Sequence, residues 1–328
     1  MTCKSCLIDE VKYEIKIDGE ENSSVIDDVI DHLKRNNFNA YLESNIIIME
    51  EKGVNDLFDF FSDHMSLLKV FFRTNDGEWS PLSEIKEVYN MQWIDEVIEK
   101  EHLTCYFQPI VNREEEIFGY EILSRFHKED GTLIYPNIIF DAARKRGRLY
   151  ALDKLCRMTA VRYAADINDK KAFINFLPTS IYSPEFCLRS TVKLANQLKM
   201  DPSQLVFEVV ETEKVDDIEH LKKILSYYKE KGFEYALDDV GEGYNTFKML
   251  EDISPQYMKL DMQYVQGVAE NLEKQEIAKM FLQKAVEIGS IPLAEGVEER
   301  NDFEWLKQLG YALFQGYLFG KPSPNLKQ

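Results

Sequence analysis

Residues 205–239 read LVFEVVETEKVDDIEHLKKILSYYKEKGFEYALDD. A short apolar run, an amphipathic stretch and a second apolar run follow one another. The runs end in acids, Glu208 and Glu211 in the first, Asp238 and Asp239 in the second. This is the pattern of strand, helix, strand, and it recurs on both sides. Downstream lie QYMKLD (256–261), IPLAEG (291–296) and ALFQG (312–316), and upstream TCYFQPI (104–110), EIFGYEILSRF (116–126) and AFINFLP (172–178). Helical stretches such as NLEKQEIAKMFLQKAVEIG (271–289) and RNDFEWLKQLG (300–310) separate most of them. Eight strand candidates, six of them in β-then-α alternation, predict an α/β chain closed into a modified (β/α)8 barrel of the TIM type. The first two runs have no helix between them, so the first strand is expected to be antiparallel. A doubly wound sheet would need a glycine-rich phosphate loop after its first strand, and the sequence has none there.

The first 92 residues follow a different pattern and predict a small α+β domain, leaving 93–328 for the barrel. VKYEIKI (11–17) alternates as a strand does. Ser23 or Ser24 can cap a helix with Val25, Ile26, Val29, Ile30 and Leu33 on one face. NAYLESNIIIME (39–50) reads as two strands around a Glu43-Ser44-Asn45 turn, then GVNDLFDFFSDHM (53–65) as a helix and LLKVFFR (67–73) as a strand. No catalytic constellation is visible here, so the domain is expected to sense a ligand or to support dimerisation.

Charge narrows the function. A formal net charge of −19 over 328 residues opposes binding to DNA, RNA or anionic lipid, each of which is met with Lys and Arg. No apolar run is long enough to span a bilayer and MTCKSCLIDE carries no signal-like core, so a soluble, cytoplasmic protein is expected. Five cysteines are too few for a disulfide framework. Cys3 and Cys6 make one CxxC, two ligands short of a zinc site, and read as exposed thiols or as half of a shared site.

The ends of the barrel runs carry Glu121, Asn175, Glu208 with Glu211, Asp238 with Asp239, Lys259 with Asp261, Glu295 and Gln315. A barrel brings such ends to one face. One acid after a strand is ordinarily a helix cap, but successive strands ending this way point to a shared site. Converging carboxylates need a counter-charge to stay ionised together. None of the five histidines ends a strand, so the ligands are oxygens, which select Mg2+ or Mn2+ over Zn2+. An Asp-Asp pair suits two bridged ions, the arrangement of phosphoester hydrolysis. Lys259 reads either as a cation beside the attacking water or as an ion-pair partner balancing the acids.

QPIVN (108–112), EILSR (121–125), INFLP (174–178), FEVVETE (207–213), LDDVGEGYNT (237–246), KLD (259–261), AEGVE (294–298) and QGYLFGKP (315–322) together resemble the EAL-domain cyclic di-GMP phosphodiesterases. The resemblance covers the chain from about residue 100 onward. It implies a barrel with an antiparallel first strand, hydrolysis of cyclic di-GMP to linear pGpG in bacterial signalling, two Mg2+ or Mn2+ ions per site and a homodimer. Glu121, Asn175, Glu208 and Asp238 would hold one ion, and Asp238, Asp239 and Glu295 the other. Lys259 would assist the water, and Glu211 would brace the loop from Val240 to Thr246. Gln108, Leu123, Arg125, Asp261 and Gln315 would face substrate, Arg125 pairing with phosphate.

The chain departs from the family pattern in a few places. Ile122 stands where the signature has Ala and its added carbons could crowd the ligand, although the metal-binding Glu121 is kept. Val240 replaces a usual Phe, Glu242 adds a carboxylate to the loop, and Met262-Gln263 replace Arg-Ser. Ile122 and Glu242 together support an alternative, a catalytically weak cyclic di-GMP receptor signalling through the N-terminal domain. A barrel glycosidase would also use paired carboxylates, but it leaves Asn175, Lys259 and the Asp pair unexplained.

Overall fold

The structure, a computed structural model, describes residues 11–19, 22, 25–75, 77–181, 183–209, 218–240 and 253–327, without the side chains of Asp239 and Val240. Cys3, Cys6, Ser23, Ser24, Glu211 and Glu242 lie outside the described residues. The chain divides into two compact units, one of residues up to His102 with Phe126–Lys154, the other of Leu103–Arg125 with residues from Leu155 onward.

In the first unit, strands β1 (Lys12–Ile17), β2 (Ala40–Glu43), β3 (Ile46–Glu50), β4 (Val70–Thr74) and β5 (Ser80–Pro81) form one sheet in the order β2-β3-β1-β4-β5. Every neighbouring pair is antiparallel. The alternation in β1 turns Tyr13, Ile15 and Ile17 inward, where they meet Val29 and Leu33 of the helix Ile26–Arg35 and Leu57 and Phe61 of the helix Val54–His64. The expected strands and helices are present, except that Leu67–Lys69, read as the start of a strand, form a 3-10 turn before β4, and that β5 was not expected. The unit also holds the helix Pro136–Lys145 and the residues after it. Arg146 is almost wholly buried there. Its guanidinium is gripped by both Glu51 oxygens, at 2.7 and 3.0 Å, and by Asp95, which also accepts from Arg148 Nε at 2.6 Å. A buried guanidinium needs this many acceptors, because each unpaired N–H away from water is costly.

The second unit is the barrel. Its strands are β6 (Leu103–Asn112), β7 (Ile117–His127), β9 (Lys171–Phe176), β10 (Leu205–Val209), β11 (Glu234–Val240), β12 (Tyr257–Leu260), β13 (Ile291–Ala294) and β14 (Leu313–Gln315); β8 (Leu133–Ile134) pairs with the last two residues of β7 in the other unit. They run β6-β14-β13-β12-β11-β10-β9-β7, and a β6–β7 pairing closes the ring. From β7 through β9 to β14 neighbours are parallel, whereas β6 runs antiparallel to β14. The expected antiparallel first strand is therefore present. Its cause is the link between β6 and β7, too short for a parallel crossover. In that turn the Asn112 side-chain oxygen accepts from the backbone N–H of Glu114 and Glu116, both at 2.9 Å.

Period-two alternation sorts the barrel side chains into two cores. One set packs outward against the helices: Cys105 and Phe107, Tyr120 and Ile122, Ile174 and Phe176, Phe207 and Val209. The other fills the lumen as an apolar layer of Ile110, Phe173, Val206, Ala236, Tyr257, Leu293 and Leu313, with Phe118 against it.

Candidate active site

Two residues further along each parallel strand from that apolar layer, the lumen side chains become polar. Phe173 leads to Asn175, Val206 to Glu208, Ala236 to Asp238, Tyr257 to Lys259, Leu293 to Glu295 and Leu313 to Gln315. On the antiparallel β6 the same step runs backwards, from Ile110 to Gln108. Glu121 joins from β7. The site expected at the strand ends is thus a second lumen layer resting on an apolar floor.

Hydrogen bonds and ion pairs tie the layer together. Glu121 is buried and accepts from Asn175 Nδ2 at 2.8 Å and Gln315 Nε2 at 2.6 Å. Gln315 Nε2 also lies 3.1 Å from Gln108 Oε1. Lys259, with no exposed surface, lies 2.7 Å from Glu208 Oε1 and 3.0 Å from Asp238 Oδ1, and also pairs with Glu295 Oε1. The 2.7 Å approach is a charge contact off the line of a good hydrogen bond. Neither Glu208 oxygen receives an aligned hydrogen bond, nor does Gln315 Oε1.

The electrostatics show a deficit of positive charge. One ammonium faces four carboxylates: Glu121, Glu208, Asp238 and Glu295. Burial works against a charged Lys259, but Asp238, Glu208 and Glu295 outweigh it and hold its pKa well above the ordinary value. Burial drives Glu208 well above the usual carboxylate range; Lys259 opposes this, and the neighbouring acids add to it. Burial and the nearby Asp238 do the same to Glu295. Burial also works to raise Glu121, yet Lys259 and the hydrogen bonds from Gln315 and Asn175 hold it below the usual value. Two buried carboxyls are thereby pushed toward their neutral forms, as expected where like charges crowd without enough cation.

These residues fit a hard divalent ion. The donors are oxygens, two of the acids lack the positive charge they need to ionise, and the Glu208 oxygens have no aligned donor. Among the described residues no three His, Cys, Asp or Glu side chains already form a cage, and the Lys259 ammonium pairs with Glu208, Asp238 and Glu295.

Local backbone features shape the rim. Between β11 and β12 the register moves from Leu237↔Met258 to Val240↔Leu260, so Asp238 and Asp239 together oppose Lys259 alone. This bulge falls on the Asp pair. After Glu295 the chain turns at Gly296, where φ is +66° and an added Cβ would lie 2.4 Å from Met262 Cβ. Only glycine suits that turn.

The remaining expected residues divide. Leu123 and Arg125 follow Glu121 on the same face of β7 at half-buried positions. Asp261 caps the helix Met262–Val265, its Oδ1 accepting from Gln263 N–H at 2.6 Å. Glu211 and the side chain of Asp239 lie outside the described residues.

One expectation is corrected. Ile122 does not crowd the lumen, because it is buried beside Phe107 and Tyr120 in the core facing the helices. Alternation settles this, since the neighbour of an inward Glu121 must point outward. Tyr106 was missed. It lies two residues before Gln108 on β6, and its ring stands 5.1 Å from the Arg125 guanidinium.

The EAL domain family matches residues 91–322. The chain belongs to the EAL domain family. Relatives of this EAL chain include the cyclic di-GMP phosphodiesterase PdeF of Escherichia coli K12, 27% identical over 246 residues, covering 74% of this chain and 33% of PdeF. The probable cyclic di-GMP phosphodiesterase PdeG of the same organism is 32% identical over 223 residues, covering 66% of this chain and 44% of PdeG. The chain therefore spans less than half the length of these curated relatives. A standalone versatile EAL protein from Vibrio cholerae O395, solved with c-di-GMP bound, is 36% identical with a TM-score of 0.61, over 69% of this chain and 94% of that one. The FimX EAL domain of Xanthomonas citri, at 16% identity and a TM-score of 0.67, shares the fold.

Proposed function

We propose that this EAL chain is a divalent-metal-dependent phosphodiesterase that hydrolyses cyclic di-GMP to the linear dinucleotide pGpG in bacterial second-messenger signalling. The observation that carries the reading is the lumen layer in which one buried ammonium faces four carboxylates, two of them pushed toward neutrality. The relatives named as cyclic di-GMP phosphodiesterases support the substrate. In this reading Glu121, Asn175, Glu208 and Asp238 hold one Mg2+ or Mn2+, and Asp238, Asp239 and Glu295 a second. When bound, the ions supply an acidified water and positive charge against the phosphate oxygens.

The chain's own residues do the rest. Lys259 keeps its proton because carboxylates surround it. It therefore acts as a fixed cation beside the water and the developing phosphoryl charge, not as a proton acceptor. Gln315 and Asn175 hold Glu121 ionised and in place. Arg125 pairs with a phosphate, and Gln108, Leu123, Asp261 and Gln315 contact substrate. Glu211 braces the loop after the Asp pair. The same reading takes the chain as cytoplasmic and homodimeric, with residues 1–92 as a sensory or dimerising domain ahead of a catalytic 93–328. Among the described residues no helix is long and apolar enough to cross a membrane.

The receptor alternative loses the support of Ile122, which faces away from the lumen. The test is the product formed from cyclic di-GMP with Mg2+ or Mn2+, beside Glu121→Ala and Lys259→Ala. Metal-dependent pGpG, lost in both variants, is the expected result. Tight binding of cyclic di-GMP with no product would make the chain a receptor.

A further inference from the structure

Thr104, Tyr106, Gln108 and Ile110 alternate along the lumen face of β6, while Cys105, Phe107 and Val111 pack outward. Across the β6–β7 pair, Glu121, Leu123 and Arg125 alternate in the same way, with Tyr120 and Ile122 outward. Tyr106 and Arg125 therefore stand together above the acidic layer, toward the barrel mouth.

Arg125 is in an unusual setting. The chain carries a net −19, and four carboxylates lie in the layer beneath, yet among the described residues no carboxylate lies within ion-pair distance of this guanidinium. Coulomb attraction at short range in a partly buried lumen would draw an unrestrained arginine down onto those acids. Among the described residues two contacts hold it off: the Tyr106 ring, 5.1 Å from the guanidinium carbon, and the Ser124 carbonyl, which accepts from Nη1 at 2.8 Å. A ring attracts a cation through its face without neutralising the charge or using N–H donors. Among the described residues the other donors meet no carboxylate, which leaves them open to a bidentate oxyanion contact.

We infer that Tyr106 is a positioning residue for phosphate recognition, holding the Arg125 guanidinium off the carboxylate layer with its N–H edge free for the phosphodiester. This rests on the reading of Arg125 as the phosphate contact. It assigns Tyr106 to substrate affinity and leaves the bond-breaking step to the layer below.

Steady-state kinetics and calorimetric affinity for cyclic di-GMP are measured on the full chain, its Tyr106→Leu, Tyr106→Phe and Arg125→Ala variants, and the Tyr106→Leu/Arg125→Ala double variant. Wild-type turnover reports on the function, and the ratios among variants report on Tyr106. Tyr106→Leu is expected to raise KM and Kd roughly two- to thirtyfold, the range of one cation–π contact, with kcat little changed. Tyr106→Phe keeps the ring and is expected to match wild type. In the Arg125→Ala background Tyr106→Leu is expected to have no further effect. The inference is overturned if Tyr106→Leu lowers kcat at unchanged KM, if Tyr106→Phe is as damaging as Tyr106→Leu, or if the Leu variant loses the same factor without Arg125. It also fails, together with the proposed function, if the wild-type chain neither binds nor hydrolyses cyclic di-GMP.

Discussion

Glu121 and Ile122 are adjacent and face opposite sides of one strand, and this separates what the sequence revealed about the site from what it obscured. The polar residues at the strand ends were legible because a barrel must collect them. The direction of Ile122 was not legible in the motif, because it depends on strand parity and not on the residue type. Ile122→Ala is expected to lower stability by about 2–4 kcal/mol through the cavity it leaves in the helix-facing core, with KM unchanged. Thermal unfolding and kinetics on the same protein check this. The acids make a second prediction. Glu208 and Glu295 have folded pKa values raised well above the ordinary 4.5. The folded chain thus holds protons there that the unfolded chain releases, so stability is full below that value and falls as pH rises through the window up to the folded pKa. Glu121 is shifted the other way, so its contribution is present above 4.5 and steady in that window. Metal-free protein in EDTA is therefore expected to lose stability as pH rises above the ordinary carboxyl value of 4.5, by at most ~1.4 kcal/mol per pH unit for each carboxyl. Denaturant titrations of wild type beside Glu208→Gln/Glu295→Gln, which should lack the slope, test this.

At the scale of elements, strands and helices were legible from apolar period and caps. The helix Leu272–Ile288 is an example: it starts at Asn271, whose side chain accepts from Glu273 and Lys274 N–H, and stops at Gly289 with φ +74°. The bulge at Asp238–Asp239 was not legible, because an extra residue in one strand shows only when its partner's register is known. The turn after Glu295 is the element most exposed to a single change. Gly296→Ala puts a Cβ into Met262 at positive φ, and is expected to destabilise by about 1–3 kcal/mol and to weaken Mn2+ affinity through a displaced Glu295. Unchanged unfolding and unchanged Mn2+ affinity in that variant would show that the turn tolerates a side chain.

At the scale of the whole molecule, the hydrophobic pattern predicts an α+β N-terminal part ahead of a barrel, but no local pattern announced that Arg146 belongs with Glu51 and Asp95, distant in sequence. Such a cluster is a long-range charge match with no period or spacing to betray it. Its consequence is specific. A fragment of residues 93–328 loses Glu51 and leaves the buried Arg146 with Asp95 as its carboxylate partner, and breaking a buried pair by removing one member typically costs about 3–5 kcal/mol. The fragment is expected to unfold at lower temperature than the full chain, and Arg146→Met within it is expected to recover part of the loss. A fragment as stable as the full chain would show that Glu51 contributes nothing there.

All three scales meet in the claim that the lumen layer lacks positive charge and that divalent ions supply it. Titrating metal-free protein with Mn2+, and counting free ion by electron paramagnetic resonance, tests that claim most directly. Two ions bound per chain, with tight binding lost in Glu208→Gln/Asp238→Asn, is the expected result. Wild-type protein that binds Mn2+ no more tightly than that double variant would contradict it, and would leave Lys259 as the site's sole counter-charge.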